Sequence, residues 1–332
     1  KIDASDHVLS VVTNTDDGKK TAAVKNSGKN LDIKAGTLRL LANDQYNSRP
    51  DYSWGILNER GTTTVSGMTE INAVGYKSSR AVEATGGKVS LEGLEAKVAE
   101  YGDALSLLAG RSGQIFVNTK DGATGSHTVN LIGNIGAMDE ASRIDVAMVN
   151  QDSGLTGLAF GRGKINFHLQ SGAVWNNERY GYSVPDKDYD GLGKEYDYTF
   201  AGSRLTSLKG GSDASHAGVI FQKNNKDITI DNYSGHTRVF YAHNSWVPTE
   251  FENGDVRIKN AEAGSVITLT TDSEGLKSES AKAVDKNLVS ETLNALAKKL
   301  YYTAYTTSER NLTGKVEIAE GLTTSSASKR IE

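Results

Sequence analysis

The sequence predicts an all-β solenoid in which short parallel strands stack coil upon coil, and three observations indicate it. Short segments of alternating polar and apolar residues recur along the chain, each bounded by Gly, Asn, Asp, Ser or Thr. Their apolar positions repeat at intervals in the twenties. The 332 residues include 35 Gly, 3 Pro and no Cys. Glycine suits tight corners, and few prolines leave the backbone donors free to pair between coils.

The strand pattern fixes a repeat length. Val65, Leu91 and Val117 are separated by 26 residues each, and Ile230 and Ile258 by 28. One coil cannot bury its own apolar side, so stacking must align these side chains into interior columns. At this repeat the chain makes about a dozen layers, stacked about 4.8 Å apart. The clearest alternating segments are 30–36, 60–67, 86–93, 112–118, 162–168, 226–232, 254–260 and 314–320.

One stretch, residues 285–304, changes to helical spacing. Its apolar positions recur at intervals of four, three, four and four residues: Val289, Leu293, Leu296, Leu300 and Ala304. Asp285 is a suitable N-cap. The sequence therefore predicts a helix of about four turns that docks on the stack by its apolar face. A helix exposed for a partner is the alternative.

A second stretch, residues 175–203, is rich in Tyr, Asp and Gly and lacks sustained alternation, so it is predicted to be a large loop. Exposed aromatic rings among polar groups suit sugar or protein recognition, because rings give contact area at little entropic cost. The alternative is that Tyr196 and Tyr198 pack as one face of a strand. The candidate ligand-binding residues are Trp175, Tyr180, Tyr182, Tyr189, Tyr196 and Tyr198.

The same loop contains a possible Ca²⁺ site and no other cofactor signal. Asp186, Asp188 and Asp190 alternate before Gly191, and Asp197 occupies the twelfth position. Alternating carboxylates can wrap a hard cation, and the glycine allows a sharp turn. The pattern departs from an EF-hand, because Asp197 replaces the usual bidentate Glu and no flanking helices are evident. A solvated acidic loop is the alternative.

Four segments resemble the passenger domains of monomeric (type V) autotransporters: 165–181, 203–211, 228–244 and 264–276. In that family a strand ending in GA-x-W-N is followed by L-x-x-L-x-GG, here Gly172–Asn176 and Leu205–Gly211. The resemblance implies a right-handed parallel β-helix, with residues 1–332 forming a single passenger fragment. It also implies display at the surface of a Gram-negative-type cell, anchored by an outer-membrane barrel that is absent from this chain.

The resemblance implies a non-enzymatic adhesin as the function. Its partners would be host or matrix glycans and proteins, or identical passengers on neighbouring cells during aggregation and biofilm formation. The charge of the chain agrees with such partners: 37 basic against 41 acidic residues argue against nucleic-acid binding. No run of eighteen apolar residues is present, so no transmembrane helix is expected.

No catalytic residue is predicted, and two alternatives to an adhesin stay open. The chain has no G-x-S-x-G elbow and no GDSG motif. A polysaccharide lyase or hydrolase built on a β-helix would need clustered acids and a basic residue in one groove. The acids considered for that role are Asp145, Asp227, Asp231 and Asp255. A structural spacer for a distal functional tip is the other alternative.

Overall fold

The structure is a computed structural model. It describes residues 1–13, 20–42, 51–100, 102–120, 123–181, 187–189, 195–197, 202–242, 251–271, 286–302, 313–316 and 327–330. The chain is nearly all β, and its parallel sheets form a solenoid of about 8 turns with one short helix, which confirms the predicted fold class. There are fewer turns than the dozen layers predicted, in part because residues 286–297 form a helix instead of a coil.

The chain divides into two compact units, and unit 1 comprises Lys1–His168 and Arg179–Phe200. Most strands of its first sheet alternate between buried and exposed residues, so we name it the alternating sheet. Its strands are β1 (Ile2–Thr13), β3 (Leu31–Ala42), β5 (Thr62–Ala73), β7 (Lys88–Val98), β9 (Gln114–Val117), β12 (Val129–Ile132), β14 (Arg143–Met148), β15 (Gly154–Thr156) and β17 (Lys164–Leu169).

The predicted interior column is present in the alternating sheet. Val65 of β5 pairs with Leu91 of β7, which pairs with Val117 of β9. All three are at most 2% exposed. The spacing read from the sequence therefore corresponds to true strand register. A bulge between Val65 and Met68 divides β5 into two pairing segments. Gly67 allows it with a φ of 91° at a place where a Cβ would lie 1.9 Å from the Ala35 carbonyl oxygen.

A second parallel sheet of unit 1 is buried on both faces in its inner strands, although its first strand, Lys20–Ser27, is largely exposed or half-buried, and we name it the buried sheet. Every residue of Ser78–Thr85 is buried, as are all but the first of Asp103–Gly110. Parallel sheets covered on both sides lose the period-two pattern, which is why these strands are absent from the segments predicted above. They are β2 (Lys20–Ser27), β4 (Tyr52–Arg60), β6 (Ser78–Thr85), β8 (Asp103–Gly110), β13 (Asn134–Ala137) and β16 (Ala159–Gly161).

Buried asparagines fix a corner between the two sheets of unit 1. The Asn26 amide donates to Asn58 Oδ1 at 3.0 Å and to Thr63 Oγ1 at 3.1 Å, and the Thr63 hydroxyl donates to Asn58 Oδ1 at 2.8 Å. The three side chains satisfy one another without water. Two antiparallel hairpins complete the unit: β10 (Thr119–Lys120) with β11 (Ala123–Thr124), and β19 (Lys187–Tyr189) with β20 (Glu195–Asp197).

Unit 2 comprises Leu169–Glu178 and Ala201–Glu332, and two columns of parallel strands run through it. Ile230 of β23 pairs with Ile258 of β25, as their 28-residue spacing predicts. One column contains β21 (Gly202–Lys209), β23 (Asp227–Ser234), β25 (Val256–Ala261) and β27 (Leu300–Tyr302). The other contains β18 (Val174–Asn176), β22 (Gly218–Gln222), β24 (His236–Tyr241), β26 (Val266–Thr271) and β28 (Thr313–Val316), with β29 (Ala327–Arg330) antiparallel to β28.

The predicted helix is present but shorter than expected. It spans Lys286–Ala297 (α1), and Leu296 is fully buried where α1 lies against β26 and β28. Leu300 was predicted to extend its apolar face, which is wrong: Leu300 pairs with Val256 as the first residue of β27. The aromatic pair that follows Leu300 favours a strand. Asp285 and Ala304 lie outside the described residues.

Within the part of the chain that the structure describes, no helix has both the length and the hydrophobicity needed to cross a bilayer.

Candidate functional site

Trp175, the first residue of the predicted binding loop, lies inside unit 2. Trp175 and Ala173 are fully buried. Val174, which lies between them, and Asn176, which follows Trp175, are half-buried. The strand β18 therefore continues its alternation through Asn176 and turns the indole inward. An exposed ring at Trp175 is ruled out, and the excursion from the coil begins later than predicted.

Tyr180 is half-buried, and its hydrogen bonds hold the next segment against Asn134 of β13 and Glu100 in unit 1. The Asn134 side chain accepts from the Tyr180 backbone N–H at 3.1 Å and donates to its carbonyl at 2.9 Å. The phenol donates to Glu100 Oε1 at 3.4 Å. Burial and the Glu100 charge raise the pKa of Tyr180 to about 12. The residue thus has a clear anchoring role, and its ligand-binding role stays a prediction.

The other predicted loop residues are only partly described. Tyr189 lies in β19 and Tyr196 in β20, where their backbones form the antiparallel hairpin. The side chains of both, and the whole of Tyr182 and Tyr198, lie outside the described residues. Recognition through this aromatic group remains a prediction.

The predicted Ca²⁺ ligands are also only partly described. Asp188 pairs with Tyr196 and Lys187 with Asp197 across the hairpin, whereas Asp186 and Asp190 lie outside the described residues. Among the residues that the structure describes, no three Asp, Glu, His or Cys side chains are grouped to hold a metal. Calcium binding by Asp186, Asp188, Asp190 and Asp197 therefore remains a prediction.

The outward side of β21, β23 and β25 in unit 2 carries a ladder of ion pairs. Asp231 contacts Arg204 Nη2 at 3.0 Å on one neighbouring strand and Lys259 Nζ at 2.6 Å on the other. Arg257 contacts Asp255 at 2.9 Å and Asp227 at 3.4 Å. Asp231 and Lys259 lie between the same paired positions of β23 and β25, whereas Arg204 is opposite Thr229 and reaches Asp231 diagonally. We name this group the charged ladder.

An aromatic pair lies on the outward side of the other column of unit 2. Phe221 and Phe240 are opposite each other in register, their ring centroids are 4.9 Å apart, and both are half-buried. Lys223 Nζ lies 5.4 Å from the Phe221 centroid, within reach of a cation–π contact. Sequence reasoning sought aromatics in the loop and overlooked these two. The signal that identifies them is their place at outward positions of paired strands.

The alternating sheet of unit 1 carries a shallow groove of about 290 Å³. Arg39 Nε donates to Glu70 Oε2 at 2.7 Å, and Glu70 lies opposite Glu95 of the next strand. The three residues occupy successive rungs of one outward row. We name it the acidic groove, whose lining includes Arg39, Leu41, Glu70, Glu95, Lys97 and Ile132.

Comparison with known proteins leaves the relationship of the chain open. It matches no protein-family model, no curated protein and no solved structure. The resemblance to autotransporter passengers therefore stays a prediction carried by the sequence motifs alone.

The four acids considered for glycan cleavage all have basic partners. Three of them, Asp227, Asp231 and Asp255, belong to the charged ladder. Asp145 is 8% exposed and accepts two hydrogen bonds from Arg143, at 2.9 and 2.6 Å. The Asn166 amide donates to the same carboxylate at 2.7 Å. These contacts hold the acids in structural networks and do not bring them into one groove.

One exposed trio has the residue types of a serine-hydrolase triad but not its geometry. Asp213 and Ser215 both contact Nδ1 of His216, at 2.9 and 3.2 Å. A triad needs the acid and the nucleophile on opposite ring nitrogens. Asp213 instead accepts from the backbone N–H groups of Ser215 and His216 as the cap of a 3₁₀ turn. Hydrogen bonds from Ser215 and His216 hold the pKa of Asp213 well below its usual range.

Proposed function

We propose that this chain is a non-catalytic surface module of an adhesin, the passenger of an autotransporter held at the bacterial surface by a separate barrel. It attaches cells to host or matrix glycans and proteins, or to identical passengers on neighbouring cells. The observation that supports the proposal is the outward charged ladder, a group of ion pairs that links three successive parallel strands. The sequence motifs 172–176 and 205–211 support the passenger assignment.

A row of this kind suits attachment by many weak contacts. Parallel strands are about 4.8 Å apart, so a partner that lies across β21, β23 and β25 meets charged groups on each of the three strands. Each exposed ion pair contributes at most about 1 kcal/mol to stability. Its members are therefore free to exchange partners at little cost. Several such contacts made by one extended partner, or by many copies on one cell, give avidity that a single contact cannot give.

Beads coated with the purified chain provide the direct test. We expect them to attach to at least one surface in a panel of host-cell and matrix glycans and proteins, or to clump with one another. Neutralising the charged ladder with Arg204→Gln, Asp231→Asn and Lys259→Gln is expected to reduce attachment. The matched control neutralises the row of the acidic groove with Arg39→Gln, Glu70→Gln and Glu95→Gln.

The outcomes of the bead assay are distinct. Loss of attachment in the ladder variant alone supports recognition through the ladder. Attachment lost equally in both variants supports a general electrostatic effect. Beads that neither attach nor clump contradict the adhesin proposal.

A second candidate function is cleavage of a polysaccharide, which the acidic groove specifically favours. Glu70 and Glu95 stand opposite each other on neighbouring parallel strands, which lie about 4.8 Å apart. Retaining glycosidases hold two carboxyl groups about 5–5.5 Å apart. Arg39 contacts only Glu70 among these two, so the carboxylates have different surroundings, as an acid and a nucleophile require.

Incubation with a panel of polysaccharides distinguishes cleavage from attachment. New reducing or unsaturated ends that disappear in Glu70→Gln and in Glu95→Gln would favour the enzyme. Asp145→Asn, in which the altered acid lies outside the groove, is the matched control. Unchanged polymers with the wild-type chain would exclude this candidate for the substrates tried.

A further inference from the structure

Unit 2 contains a crevice of about 390 Å³ that none of the functions above uses. Its walls come from the turn Glu262–Ser265, from Lys209–Ser212 and from Ser234–His236. Gly235 and Gly264 have φ of 78° and 81°, so both turns need glycine to fold back around the space. We name it the glycine crevice. Its volume lies within the range of about 300–1,000 Å³ typical of small-molecule sites.

A buried hydroxyl without a partner lies at this crevice. Ser265 is 2% exposed, it lines the crevice, and within the described part of the chain its Oγ has no hydrogen-bond partner. Leaving such a group unpaired is unfavourable, because the hydroxyl has given up its hydrogen bonds to water. The Oγ itself has less than 1 Å² exposed, so a small opening of the Glu262–Ser265 turn would let a ligand hydroxyl bond it.

An equivalent turn elsewhere in the chain shows which hydrogen bonds the Ser265 hydroxyl lacks. In both Asn150–Ser153 and Glu262–Ser265 the serine N–H donates to the carbonyl of the first residue, at 3.0 and 3.1 Å. In the first turn the Ser153 hydroxyl also donates to Asn150 Oδ1 at 2.8 Å and accepts from the Val129 N–H at 3.0 Å. In the second turn Glu262 replaces the asparagine and gives Ser265 no such bond.

The remaining lining defines the chemistry of the ligand. Lys209 supplies a cation and Glu262 an anion, so their charges cancel. Gln170 donates its amide to the Gly210 carbonyl at 2.9 Å, and its side-chain oxygen is a further acceptor. His236 and Ser234 add groups that both donate and accept. A balanced set of donors and acceptors with no net charge matches hydroxyl groups, which themselves donate and accept.

We infer that the glycine crevice binds a neutral saccharide unit, with the Ser265 hydroxyl, Lys209 and Glu262 as its hydrogen-bonding partners. The choice of a glycan as the ligand rests on the proposed attachment function. The inference adds which part of the surface would bind that glycan. Because the crevice admits about one or two sugar rings by volume, it would recognise a glycan end or a short branch.

Calorimetric titration of the full chain with glucose, galactose, mannose, N-acetylglucosamine and lactose tests the inference, with sulfate and sialic acid as anionic comparators. We expect at least one neutral sugar to bind with a Kd of about 1 mM or below. Ser265→Ala and Lys209→Ala are each expected to weaken that binding at least about fivefold. Ser153→Ala, in the equivalent turn, is the matched control and should leave sugar binding unchanged.

The melting temperatures of the two serine variants separate a binding role from a structural one. Ser265→Ala removes an unpaired group and should keep or raise the melting temperature, whereas Ser153→Ala breaks two hydrogen bonds and should lower it. No neutral sugar binding, binding of sulfate or sialic acid alone, or sugar binding that neither Ser265→Ala nor Lys209→Ala weakens would each overturn the inference.

The bead assay keeps this inference separate from the proposed function. If the wild-type chain binds a sugar through Ser265 but its beads attach to nothing, the crevice stands and the adhesin proposal fails. If beads attach and no neutral sugar binds, the crevice fails and the adhesin proposal stands.

Discussion

Ion pairs of the same kind occur in two opposite settings in this molecule. In β6 of unit 1, Arg80 and Glu83 are both 0% exposed, and Arg80 Nη1 lies 2.7 Å from Glu83 Oε2. The Trp54 indole N–H donates to the same carboxylate oxygen. In unit 2, Asp231 of the charged ladder pairs with Arg204 and Lys259, whose side chains are 52% and 42% exposed.

The two settings differ in what the loss of one charged partner does to the other. Removing one member of a buried pair leaves a charge without solvent, whereas an exposed charge regains water at once. The buried sheet therefore holds the charges of Arg80 and Glu83 as a pair. The charged ladder can change its partners, which is the property that attachment needs.

The largest effect is expected for Glu83→Ala. The substitution leaves the Arg80 guanidinium buried without its carboxylate, so we expect the free energy of unfolding to fall by about 3–5 kcal/mol. Urea unfolding followed by circular dichroism measures it. Glu83→Gln, which keeps an acceptor for Trp54, should lose less. A loss below about 1 kcal/mol for Glu83→Ala, the value typical of an exposed pair, would erase the contrast between the two settings.

The next effect concerns the interior column of the alternating sheet. Leu91 is 2% exposed between Val65 and Val117, so Leu91→Ala should lower the free energy of unfolding by about 2–5 kcal/mol through a cavity. Ser90→Ala, one residue earlier and facing outward, should change it by less than about 0.5 kcal/mol. Equal effects at the two positions would mean that the alternation does not separate core from surface.

The same contrast explains which strands the sequence reveals. Seven of the eight alternating segments overlap strands from β3 to β25, because one face of each is polar and the other apolar, and residues 314–316 of the eighth lie in β28. β6, with the sequence SSRAVEAT, has no such alternation, since its serines, Arg80 and Glu83 are all buried. Partners that are distant in sequence, such as Trp54 of β4, make that burial possible. Sequence spacing does not identify them.

The sequence likewise predicts some of the features described above and not others. The column at Val65, Leu91 and Val117 is visible as a fixed interval, but the glycine crevice depends on a contact that is missing at Ser265 and present at Ser153. A missing hydrogen bond leaves no mark in a sequence. The burial of Trp175 was not predicted, because the predicted loop began at residue 175. The Tyr-rich sequence that suggested the loop starts only after strand β18.

A smaller effect is expected at the charged ladder. Burial opposes ionisation of Asp231, but hydrogen bonds from Lys259 and Arg204 outweigh it, so its pKa lies below the ordinary value of 3.8. The resulting stability is present above pH 3.8 and is lost as the pH falls through the lowered pKa. Asp231→Asn should cost at most about 1 kcal/mol at neutral pH. Urea unfolding in low and high salt checks this, because a salt-independent loss would contradict surface screening.

The smallest effect at neutral pH is expected at Tyr180, whose burial lies between the two settings. Its pKa is raised from 10.0 to about 12, first by burial and then by the Glu100 charge. The stability linked to this shift is complete below pH 10 and is lost as the pH rises to about 12, because the unfolded chain releases the proton first. Tyr180→Phe should therefore show a weaker decline in stability across that interval than the wild type. Ultraviolet difference titration of the two proteins isolates this tyrosine, and Glu100→Gln should move its transition towards lower pH. A difference between the wild type and Tyr180→Phe that titrates with a midpoint near the ordinary value of 10.0 would mean that the phenol does not dock against Glu100.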